Sequence, residues 1–87
     1  MASAYQLSFT ASAEKELNRL SASVIARIVP RIERLATVPR PGGCKKLVGG
    51  VNEWRIRIGD YRVIYTIDDS ARAVDITRIA HRREVYD

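Results

Sequence analysis

Apolar residues recur at helical spacing in the first half of this chain and alternate in the second, and that switch of period predicts its elements. Residues 5–9 (YQLSF) alternate as a short strand. The stretch from Thr10 to Ser12 then offers hydroxyl N-caps for a helix, with Glu14 in the first turn against the positive end of the helix dipole. Ala13, Leu17 and Leu20 repeat on one side of that helix, while Glu14, Lys15 and Arg19 face elsewhere. Ser21 and Ser23 mark a break and a second start. Val24, Ile28, Ile32 and Leu35 form the stripe of a longer helix, widened by Val29 and Ala36. Pro30 lacks a donor and crowds the preceding turn, yet the stripe continues in phase across it, so a kink is expected rather than a division. Pro39, Pro41, Gly42 and Gly43 end the helical region.

Beyond Asn52 the period becomes two. Trp54, Ile56 and Ile58 alternate with Arg55 and Arg57, Gly59-Asp60 marks a tight reversal, and Tyr61, Val63, Tyr65 and Ile67 continue on one parity. Asp68-Asp69-Ser70 makes the next turn, and residues 72–80 form a further strand. Its inward parity is open, because Val74 and Ile76 compete with Ile79 and a bulge would reconcile them. The expectation is an α+β fold: an N-terminal helical hairpin packed on a small curved antiparallel β-sheet. At 87 residues, one domain spanning 1–87 is expected, with room for one core.

Charge changes this picture by marking one face. The chain carries 15 Lys and Arg against 10 Asp and Glu, a formal charge of +5, which favours approach to a polyanion. With the apolar parity turned to the helices, Arg55, Arg57 and Arg62 project from the opposite face, Arg55 and Arg57 about 7 Å apart along their strand. Guanidinium forks match phosphate oxygens and stay charged at any relevant pH. A solvated arginine face paired with Glu53 or Asp60 is the plainer explanation for any one of them. Arg82, Arg83 and Tyr86 follow the last strand, where Tyr86 can stack on a base or donate its hydroxyl, or simply pack back on the domain. Lys45 and Lys46, in the loop before the sheet, are expected to steer the protein or touch a backbone at a distance from any chemistry. His81 is able to move a proton near neutral pH, or to serve as an ordinary hydrogen-bonding residue.

Other functions find less support. Cys44 is the only cysteine, which excludes an internal disulfide and a cysteine-based metal cluster. Asp60, Asp68, Asp69 and Asp75 have turn or spacing explanations and form no metal site, and neither a P-loop nor a nucleotide-binding glycine motif is present. No cofactor is expected. Nothing resembles a signal peptide or an apolar run able to span a bilayer, so a cytoplasmic protein without membrane partners is expected.

The run from Lys46 to Tyr65, with its core GDYRVIY (residues 59–65), together with HRREVY (residues 81–86), resembles the RelE/ParE superfamily of toxin–antitoxin toxins, its RelE-like branch in particular. The resemblance covers nearly the whole chain and implies the same helical hairpin on a curved sheet. It further implies an endoribonuclease that enters the ribosomal A site and cuts mRNA, restrained by a cognate antitoxin. Carried over by motif, Arg55 and Arg57 match positions that are commonly basic and often lysine, and Arg62 the arginine after the central-strand aromatic. Arg82 matches the arginine after the last strand, and Tyr86 the near-terminal aromatic. The implied chemistry is attack of the substrate's own 2′-OH on the adjacent phosphate, without metal. In it Arg62 and Arg82 hold the scissile phosphate, Arg82 assists the leaving oxygen, Arg55 and Arg57 hold the backbone, and Tyr86 orients the base. Lys45, Lys46, His81 and Arg83 are expected as further RNA contacts. Arginine at both 55 and 57 removes an amine that relatives often have there, and the sequence stops at Asp87 without a terminal helix. Weak activity on naked RNA is therefore expected. The alternatives are a ParE-like toxin that inhibits DNA gyrase without cutting RNA, and a non-enzymatic RNA-binding module.

Overall fold

In a computed structural model, residues 4–49 and 52–81 are described. Strand β1 (Gln6–Phe9) leads into helices α1 (Ala11–Asn18) and α2 (Ala22–Arg34), followed by strands β2 (Lys45–Lys46), β3 (Glu53–Ile58), β4 (Tyr61–Asp68) and β5 (Ala73–His81). The five strands form one sheet in the order β1-β5-β4-β3-β2. It is antiparallel from β2 to β5, and β1 runs parallel to β5 at one edge. A helical pair on a small, largely antiparallel sheet is the expected α+β fold.

The helices start where their hydroxyls dictate. Thr10 accepts from the Ala13 amide at 3.1 Å and Ser21 from the Val24 amide at 3.4 Å, each satisfying an otherwise orphaned donor. Helix α2 runs through Pro30 without division. Ala13, Ile28, Ile32 and Leu35 bury one helical stripe against Ile56, Val63, Tyr65, Ile67, Val74 and Ile76 of the sheet. None of the described helices is long and apolar enough to cross a membrane.

Two local features set which side chains reach which face. Tyr65 pairs with Ile76 but Ile64 pairs with Arg78, so Thr77 is an extra residue, a β-bulge in β5. The bulge reverses the parity of everything after it. Val74 and Ile76 before it and Ile79 beyond it therefore all face the helices. At the β3–β4 turn, Ile58 pairs with Tyr61 across a two-residue loop, and Gly59 takes φ +59° as the first loop residue. A Cβ at Gly59 would lie 2.6 Å from Nη2 of Arg27. Glycine there serves both the turn and the close approach of α2.

Candidate functional site

Register, rather than sequence proximity, assembles the cationic face. Arg55 and Arg57 lie on β3 and Arg62 on β4, and Arg57 is directly opposite Arg62. Strand β2 adds Lys45 directly opposite Arg55. Side chains at opposed positions begin about 5 Å apart, and like charges so placed destabilise a sheet. Two such pairs side by side have no folding rationale. Gly43, Lys45, Arg55, Arg57 and Arg62 line a depression of ≈ 240 Å³ between them. Gly43 has φ +88°, which keeps a glycine there and its side of the depression open.

The guanidiniums differ in freedom. Arg57 Nε donates to the Gly59 carbonyl at 3.1 Å, so the tight turn fixes its direction. Arg55 and Arg62 are half-buried, and Arg62 Nε is shielded from solvent. Ile64 and Ala80, on the same face, form a small apolar cluster with Leu47 beside the cations. A groove with fixed charge and an apolar margin suits a phosphodiester carrying a base.

The structure separates other expected contacts from this face. Lys46 pairs with Trp54 and its Nζ lies 5.9 Å from the Trp54 ring centroid, on the helix side. His81 pairs with Tyr61 and meets its ring edge-on at a centroid separation of 5.3 Å, again on the helix side. Lys45, expected to act at a distance, instead belongs to the cluster. Arg82, Arg83 and Tyr86 lie outside the described residues. Among the described residues no group of three His, Cys, Asp or Glu side chains is arranged to hold a metal ion.

The depression does not end at the sheet. A second cavity of ≈ 380 Å³, lined by Arg31, Gly42, Gly43, Ile56, Arg57 and Gly59, leads to α2. A third, of ≈ 350 Å³, is bordered by Arg31, Arg34, Val38 and Pro41. Arg27, Arg31 and Arg34 are exposed and spaced to share a side of α2. That spacing was visible in the sequence, but the apolar stripe drew attention to the other side of the helix.

A polar clasp fixes the opposite end of the sheet. Arg40 grips Asp69 with two hydrogen bonds, 2.9 and 3.2 Å, and Tyr5 donates to the same carboxylate at 2.7 Å. The Arg40 bond, followed by that of Tyr5, holds the Asp69 carboxyl down at about 2. Arg40 also lies 4.9 Å from the Trp54 ring centroid. Tyr65 donates to the Pro39 carbonyl at 2.8 Å, and burial pushes its hydroxyl pKa up. These bonds seat the 37–44 loop, and with it the approach to Lys45.

Fold and face together define a small α+β protein with a cationic sheet, and comparison with known proteins gives its family. Residues 7–86 match the family described as ParE toxin of type II toxin-antitoxin system, parDE. The chain is 30% identical over 83 residues to Toxin RelG of Mycobacterium tuberculosis, covering 94% of this chain and 95% of that one. The toxin–antitoxin complex RelBE2 of Mycobacterium tuberculosis superposes with TM-score 0.80 at 31% identity, over 91% of this chain and 99% of the other. The intact RelBE toxin–antitoxin complex of E. coli gives TM-score 0.80 at 25% identity, over 90% and 96%. The chain belongs to the RelE/ParE family of type II toxin–antitoxin toxins.

Proposed function

We propose that this protein is a ribosome-dependent endoribonuclease, a RelE-like toxin that cuts mRNA in the A site and is neutralised by a cognate antitoxin. One observation carries the reading: two directly opposed like-charged pairs, Lys45–Arg55 and Arg57–Arg62, line a single depression on the sheet. Such an arrangement costs the fold stability and repays it only when an anion lies between the pairs. The relatives named RelG and RelBE2 agree with it.

In this reading the scissile phosphate sits over Arg57 and Arg62. The 2′-oxygen attacks in line, and fixed guanidiniums stabilise the charge that grows on the phosphorane. Arg55 holds the adjoining backbone. Arg82 adds charge at the phosphate and Tyr86 orients the base. The products are a 2′,3′-cyclic phosphate and a 5′-OH. Arginine is a very poor base, so alignment of the 2′-OH falls to the ribosome, and naked RNA is cut far more slowly. The antitoxin is a segment that covers the basic face with acidic side chains, as charge complementarity requires.

The second reading is gyrase inhibition, favoured by the description of the matching family as ParE toxin. End mapping of mRNA after brief expression, run beside a gyrase supercoiling assay, separates the two. Cuts within A-site codons with unaffected supercoiling are expected. Inhibited supercoiling with intact mRNA would establish the second reading instead.

A further inference from the structure

Cleavage needs a proton at the departing 5′-oxygen, and the cationic face contains one side chain suited to supply it. Of the four cations lining the depression, three are guanidiniums. These hold their protons too tightly to release them, so they supply charge alone. Lys45 is the exception: an ammonium ordinarily carries a proton at neutral pH and is able to part with it. It sits directly opposite Arg55, on the rim of the same depression as Arg57 and Arg62. Other proton-transferring groups among the described residues are turned elsewhere. His81 lies against Tyr61 on the helix side, Tyr65 donates to the Pro39 carbonyl, and Cys44 packs against the core. Glu53 pairs with Thr66 further along β3 and does not line the depression.

We infer that Lys45 is the general acid of the site, delivering its Nζ proton to the 5′-oxygen that leaves. The inference rests on the nuclease reading and adds to it the source of the proton. In the step, the bond from the 2′-oxygen to phosphorus forms and the bond from phosphorus to the 5′-oxygen breaks. The 2′-OH proton passes to solvent, the Nζ proton goes to the 5′-oxygen, and the neutral amine recovers a proton from water. The amine missing from positions 55 and 57 is thereby supplied from β2, across the sheet. Arg82 then contributes charge and not the proton.

The test uses the full chain at saturating programmed ribosomes, in single turnover, with two mRNAs. One has the ordinary 5′-oxygen at the scissile linkage. The other has a bridging 5′-sulfur, which leaves as a thiolate without protonation. Lys45→Ala and Lys45→Arg are both expected to slow the oxygen substrate by about 10²–10⁴-fold, the usual worth of a general acid. Both are expected to cut the sulfur substrate within about tenfold of the parent, which a lost phosphate contact would not allow. Lys45 is exposed, and an unchanged unfolding midpoint for both variants verifies the fold. A Lys45→Arg chain that cuts the oxygen substrate at the parent rate, or equal slowing of both substrates, overturns the assignment alone. A parent that cuts neither substrate removes the nuclease reading and the assignment together.

Discussion

At Asp69 three groups converge on one carboxylate, and the consequence is a pH dependence of definite sign. Hydrogen bonds from Arg40 and Tyr5 depress its folded pKa to about 2 from an ordinary 3.8. A depressed carboxyl stabilises the fold fully above its unfolded value, and that contribution disappears as pH falls through the folded one. The window is therefore between about pH 4 and pH 2. The thermal midpoint of the parent is expected to fall across this window more steeply than that of Asp69→Asn, with the two converging at the acid end. Parallel curves from pH 6 to pH 2 would show that the clasp is without energetic effect. Asp69 is exposed, so the difference is expected to shrink in high salt. The sequence marked Asp69 only as a turn residue. Its partners, Tyr5 and Arg40, come from the far ends of the helical region, a pairing that no local pattern records.

Among the elements, β5 shows most clearly what periodicity reveals and what it hides. The alternation of β3 and of β4 was legible because each keeps one unbroken parity, which placed Arg55, Arg57 and Arg62 on a common face. In β5 the Thr77 bulge breaks that rule. Without it, Ile79 and His81 would share the face of the arginines; with it, both turn to the helices, and Ala80 joins Ile64 instead. Strand β2 was hidden for a different reason: two residues carry no period, so Lys45 and Lys46 read as loop. Beyond the end of β1, helix α1 takes over the edge of β5. Thr10 bonds to the carbonyls of Ile76 and Thr77, and Glu16 accepts from the Ile79 amide at 2.8 Å while lying 3.6 Å from Arg78 Nε. The Glu16 carboxylate thus replaces a missing strand. Glu16→Ala is expected to cost about 1–3 kcal/mol by leaving a half-buried amide unpaired, while Glu16→Gln, which keeps an acceptor, recovers most of it. Urea unfolding measures the first, and faster hydrogen exchange at Ile79 alone locates it. Unchanged exchange at Ile79 in Glu16→Ala would show that the carboxylate does not guard this edge.

Across the whole molecule, positive charge runs from the sheet around one edge onto α2. The net charge of +5 told of a polyanion without saying where it lies. The structure distributes it: Lys45, Arg55, Arg57 and Arg62 about one depression, then Arg31 and Arg34 along the cavities that continue from it. These two sets should differ in kind. Groups at the depression act on charge that develops during cleavage, whereas Arg31 and Arg34 meet charge that is the same before and after. The double variant Arg31→Ala/Arg34→Ala is therefore expected to weaken ribosome association and to flatten its dependence on salt. Each lost phosphate contact lowers the slope of log affinity against log salt by about 0.7–0.9. Its single-turnover rate at saturating ribosomes should match that of the parent, because uniform binding does not raise the chemical step. Ribosome titrations from low to physiological salt supply the slope, and mRNA cleavage at saturation supplies the rate. An unchanged slope would show that RNA does not follow the α2 stripe, and a rate lost at saturation would place Arg31 or Arg34 inside the reacting centre.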